Sequence, residues 1–239
     1  MTTEQPGYPA APPPDVTPRT PDDARAANLR GMGATGWIIT IVIALSGPVL
    51  EPLGAVLTML WARVSHTPWR DLGLARPTNK WRTLAGGIAC GVLLKLAMKS
   101  LVMPVLGAPP INAAYHWLAG NTAALPSMIF DVIVGAGFNE ELVFRGFLFM
   151  QFRKLLGGSL RARVITVIVT SLYFGAVHYP GQGLPGAEQA TIVGLVLGTW
   201  YACTGRIWPA MVAHAAFDLT AVALIYNGLE TAVAHWFLR

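Results

Sequence analysis

Between Phe138 and Gly146 the sequence reads Phe-Asn-Glu-Glu-Leu-Val-Phe-Arg-Gly, two adjacent carboxylates and an arginine inside an apolar run. A charge near the middle of a bilayer costs at least about 2.5 to 3.5 kcal/mol on the lenient insertion scale, so Glu140, Glu141 and Arg145 need a compensating role. The chain has six Glu among 239 residues, and one adjacent pair would arise by chance about 0.13 times. At 100° per residue a helix sets Glu141 and Arg145 on one face, about 40° apart, and turns Glu140 about 100° away. This spacing predicts an ion pair of Glu141 with Arg145 that leaves Glu140 to act on something else. The plainer reading is a packing pair beside a protonated, inert Glu140.

Two histidines extend the pattern. One apolar segment ends in Phe174-Gly175-Ala176-Val177-His178, and another contains His214-Ala215-Ala216-Phe217-Asp218, with His214 and Asp218 at i,i+4. Taken singly, each histidine reads first as a hydrogen-bonded packing residue. Glu140 and His178 are each 19 residues from Ser159, inside the turn signal Gly157-Gly158-Ser159, so an antiparallel helical hairpin sets them at one depth. Asp218 lies about 18 Å beyond the Gly205 turn at 1.5 Å per residue, again near the middle of a membrane. A Glu, two His and an Asp around one buried cavity suit hydrolysis of an unactivated bond. A carboxylate takes a proton from water, and further donors stabilise the developing oxyanion.

The elements that must carry these groups follow from composition. Hydrophobic residues make up 54% of the chain and charged residues 12%, with a mean hydropathy of +0.50, against about 25% charged in an ordinary soluble domain. Disorder, a disulfide scaffold and a charged nucleic-acid groove are excluded on that balance. The expected fold is an all-α, polytopic transmembrane bundle of about six spans with the active site inside it. The apolar runs extend from Trp37 to about Trp61 (interrupted by Pro48, Glu51 and Pro52), then over residues 84–106, 122–150, 160–177, 189–203 and 207–226. Lys95 and Lys99, at i,i+4, should face the bundle interior or a wet cavity. Gly87 with Gly91, and Gly194 with Gly198, have the spacing that lets helices approach closely. Cys90 and Cys203 sit in apolar segments with no CxxC spacing, so neither a disulfide nor a thiolate metal site is expected.

Four regions result: a Pro-rich disordered tail (1–35), N-terminal transmembrane helices (36–119), a catalytic membrane domain (120–226) and a short amphipathic C-terminal tail (227–239), the last read as interfacial. The net charge of +5 comes from Lys and Arg in loops 62–82 and 151–163, which places those loops on the cytoplasmic side of what should be the cell membrane.

In order, Glu140-Glu141-x-x-x-Arg145, Phe174-x-x-x-His178 and His214-x-x-x-Asp218 resemble the three motifs of the CPBP intramembrane proteases. That family includes the type II CAAX prenyl endopeptidases and the bacteriocin-processing and abortive-infection proteins. The resemblance covers about residues 120 to 225. It implies an intramembrane endopeptidase acting on membrane-associated proteins or peptides, with Glu140 activating water and His178 holding it. His214 and Asp218 would line the oxyanion side, and Glu141 and Arg145 would support the first helix. The family most often has Asn where this chain has Asp218. No cofactor is favoured. Zinc on Glu140, His178 and His214 is the alternative, which would make a metalloprotease, although no HExxH motif is present. The partners implied are the lipid bilayer and a peptide or protein near it, without nucleic acid. Two other classes stay open: a non-catalytic membrane immunity or scaffold protein, and a secondary transporter or proton relay through Glu140, His178 and Asp218.

Overall fold

The computed structural model describes residues 20–49 and 52–237. Residues 1–19 of the Pro-rich tail, and Glu51 in the first apolar run, lie outside the described residues. Among those described the chain is helical without strands, in eight successive helical elements: α1 Pro21–Arg30, α2 Ala34–Val49, α3 Leu53–Val64, α4 Lys80–Val105, α5 Thr122–Leu156, α6 Leu160–Thr204, α7 Trp208–Tyr226 and α8 Glu230–Ala234. Short 3₁₀ turns at Trp69–Leu72 and His116–Leu118 punctuate the connections.

Helices long and apolar enough to cross a membrane number four among the described residues (α4, α5, α6 and α7), or five if α1 and Ala34–Ser46, bent by 56°, make one broken span. The expectation of six is therefore corrected. One reason lies in α6, where two expected apolar runs are joined through a kink rather than by a loop. No charged side chain but Glu188 falls between His178 and Gln189, and the helical turns continue to Gln182 and resume at Leu184. Only Gly183 departs, at φ 67° and ψ −168°, a conformation that a residue with a Cβ rarely adopts. The two halves of α6 fold back on each other there. A Cβ on Gly175 would fall 1.9 Å from Thr191 Oγ1, and one on Gly194 would fall 3.0 Å from the Ser171 Cβ, so small residues set the close packing of this hairpin.

A second correction concerns the tail: residues 21–30 are helical. Local signals override the proline content, because Thr20 accepts a hydrogen bond from Asp23 N, Pro21 occupies the first turn, and Asp22 and Asp23 face the helix N-terminus. The helix is held by tertiary bonds. Trp61 Nε1 donates to Leu29 O at 3.0 Å, Lys154 Nζ donates to Arg30 O at 3.0 Å, and the Arg30 guanidinium donates to Ser65 O.

At the other end of the chain, one face of α8 packs on the bundle. Glu230 in α8 is buried, pairs with Lys99 Nζ at 2.9 Å and accepts from Asn112 N at 3.0 Å. The central core is aromatic: Phe147 meets Trp61 edge-on at 5.1 Å, and Phe149 meets Tyr201 at 5.1 Å. Ile38, Leu93, Leu172 and Leu195 point outward, as apolar side chains do toward lipid. This is an integral membrane helical bundle.

Candidate active site

α5 carries the glutamate pair on backbone that is wider than an α-helix. Residues Asp131–Glu140 and Leu142–Leu148 run in π-helical turns, with i→i+5 hydrogen bonds, a geometry frequent at functional sites. Asn139, fully buried, holds α5 in place by accepting from Ala55 N at 2.7 Å through Oδ1. Gly137 admits α7, since a Cβ there would lie 2.8 Å from the Ala215 Cβ and 3.1 Å from Met211 O.

Glu141 and Arg145 pair as the spacing predicts, with Arg145 Nη1 donating to Glu141 Oε1 at 2.7 Å and both side chains sequestered. The hairpin register also holds, because His178 Nε2 lies 3.9 Å from Glu140 Oε1. From α7, His214 Nε2 lies 3.7 Å from Glu140 Oε2 and 3.4 Å from Asp218 Oδ2. The structure thus brings together all six residues singled out in the sequence. Glu140, His178, His214 and Asp218 line one cavity of about 390 Å³, whereas Glu141 and Arg145 stand behind its wall.

Sequence spacing did not reveal a further bond in the cluster: Glu141 Oε1 also lies 2.7 Å from His214 Nδ1. One carboxylate oxygen therefore accepts from an arginine and from an imidazole, with Nδ1 as the donor. His178 is held similarly, its Nδ1 donating to Phe174 O at 2.7 Å. In both rings Nε2 is the atom left facing Glu140. Phe174 spaces them: its ring centroid is 4.5 Å from the His178 ring, 5.8 Å from the His214 ring and 4.8 Å from Arg145 Cζ. An aromatic face so placed keeps two imidazoles apart while attracting the guanidinium.

The two Nε2 atoms face different oxygens of the Glu140 carboxylate, and among the described residues no group of three or more His, Cys, Asp or Glu could hold a metal ion.

No curated protein and no solved structure matches the chain. Residues 121–220, fewer than half of the 239, match the family described as Rce1-like, type II CAAX prenyl endopeptidase. That interval contains every residue of the cluster around Glu140.

Proposed function

We propose that the protein is an intramembrane endopeptidase that cleaves membrane-associated peptides or proteins with a water activated by Glu140, without a metal. One observation carries this reading: each oxygen of the Glu140 carboxylate faces one imidazole Nε2, at 3.9 and 3.7 Å, on the wall of a cavity, while Glu141 is occupied elsewhere. Those separations exceed a hydrogen bond and suit a bridging water.

Glu140 takes a proton from that water as its oxygen attacks the scissile carbonyl carbon, and His178 Nε2 helps to hold it. The carbonyl oxygen turns toward His214 and Asp218. The Nδ1 proton of His214 is committed to Glu141, so Nε2 donates to the oxyanion as part of a histidinium, for which Glu141 supplies counter-charge. When the C–N bond breaks, Glu140 returns its proton to the leaving amine. The bilayer is the medium and a peptide near it the substrate; the cell membrane is the proposed location.

The test is peptide release by the reconstituted protein, with candidates drawn from membrane proteomes of cells carrying the wild type or Glu140→Ala. Glu140→Gln keeps the shape and removes the base, so it should fold and be inactive; cleavage above about a tenth of the wild-type rate would sink the assignment. Exhaustive chelation should leave the wild-type rate near its starting value, and loss restored by zinc would overturn the metal-free mechanism.

A further inference from the structure

Lys95 is buried in α4, and the reaction proposed above makes no use of it. Its Nζ donates to Gln189 Oε1 at 3.1 Å and stands 4.7 Å from the Phe217 ring centroid. Both partners are neutral. Lys99, one turn on, has an ion pair with Glu230 at 2.9 Å. The carboxylates whose field reaches Lys95 are Asp218 and Glu230, yet among the described residues neither lies within ion-pair distance of it. An ammonium withdrawn from water with only an amide oxygen and a ring face is poorly compensated. On a cavity wall, that arrangement suits an anion that arrives from outside.

Lys95 and Gln189 line the cavity that contains Glu140. They also line a second cavity of about 470 Å³ beside it, bounded by Lys99, Asn112 and Glu230. We propose that Lys95 and Gln189 form a binding subsite for a carboxylate of the peptide substrate. The ammonium donates to it, and the Gln189 amide, whose oxygen faces Lys95, has its N–H groups available to donate as well. The carboxylate comes from a free C-terminus or from an Asp or Glu side chain. The bond cut is set by the length of chain between this anchor and Glu140. The inference rests on the peptidase reading.

A panel of apolar synthetic peptides tests it, each made as the free acid, as the C-terminal carboxamide, and as the carboxamide with one internal Glu. Cleavage is followed by mass spectrometry with the full-length protein in detergent. Wild type should prefer a carboxylate-bearing form over the bare carboxamide by roughly tenfold or more in kcat/KM, and the form preferred identifies the source. Lys95→Gln should bring that ratio close to one, with the change in KM. Gln189→Glu, which keeps the ammonium but occupies it from within, should do the same. Equal cleavage of all forms by wild type, or a preference that survives in either variant with a cooperative melt, overturns the subsite. If wild type cleaves none of the panel, the peptidase reading fails in this assay and binding decides the subsite. Free-acid or Glu-containing peptides that raise the melting temperature of Glu140→Gln, but not of Glu140→Gln with Lys95→Gln, support it. Equal effects on both overturn it.

Discussion

Glu141 Oε1 ties two helices together, because it accepts from Arg145 on its own helix and from His214 on α7, each at 2.7 Å. Glu141→Gln keeps an acceptor but leaves the Arg145 guanidinium buried without its counter-charge, at a cost of about 3 to 5 kcal/mol. The melting temperature in detergent should fall and activity with it, and an unchanged melt would mean that the pair contributes nothing. Asp218→Asn should behave differently. His214 is oriented through Nδ1 by Glu141, whereas Asp218 approaches the other nitrogen at 3.4 Å, so loss of the Asp218 charge does not unseat the ring. An Asn amide also donates to an oxyanion at every pH. The Asn variant should keep kcat/KM within about threefold of wild type, and a loss of about tenfold or more across the pH range would give Asp218 an indispensable charge. The Glu141–Arg145 pair was legible in the sequence because i,i+4 spacing is a local property of a helix. The Glu141–His214 bond was not, since 73 residues separate its partners and only the packing of α7 on α5 makes them meet.

Helix packing around the cluster is set by glycines that admit a neighbour's backbone. A Cβ on Gly91 would fall 2.1 Å from Ala213 O and 2.8 Å from the Ala216 Cβ, on the stretch of α7 that carries His214. Gly91→Ala must therefore push α7 away from α4, costing about 1 to 3 kcal/mol as overpacking does, and displace His214 from Glu140. Gly86, on the same helix, has nothing within 4 Å of its would-be Cβ. Gly86→Ala should stabilise by about 0.5 to 1 kcal/mol through helix propensity alone. Thermal unfolding should thus move the two variants in opposite directions, and only Gly91→Ala should lose rate; equal behaviour would remove the close approach as its cause. The Gly87 and Gly91 spacing disclosed that a tight contact exists, but not that α7 is the partner. The hairpin inside α6 was readable as two apolar runs, yet its sharp reversal at Gly183 was not, because Pro180 and Pro185 flank it without ending the helical turns. The capping residues of α1 were visible in the sequence as well, and the density of prolines around them hid their meaning.

At the scale of the whole molecule, hydropathy and charge were enough to predict a membrane bundle with its ionisable groups turned inward, since both follow from the cost of charge in hydrocarbon. Which inward groups neutralise one another depends on contacts between chain ends. Lys99 was expected to face the interior, but its counter-ion comes from 131 residues away, in a segment whose amphipathic pattern resembled a surface tail. That bond ties α8 to α4 and, through Asn112 N, to the connection between α4 and α5. Removing one partner strands the other charge. Lys99→Met and Glu230→Gln should each lower the melting temperature in detergent, through a stability loss of about 3 to 5 kcal/mol where the remaining ion stays buried. The double variant should recover most of the loss, because Met fills the space of the lysine stem and the side-chain amide oxygen that replaces the Glu230 carboxylate still accepts from Asn112 N. A cycle built from these three proteins and the wild type measures the coupling directly. Losses that simply add in the double variant would show that α8 is held by packing rather than by this ion pair.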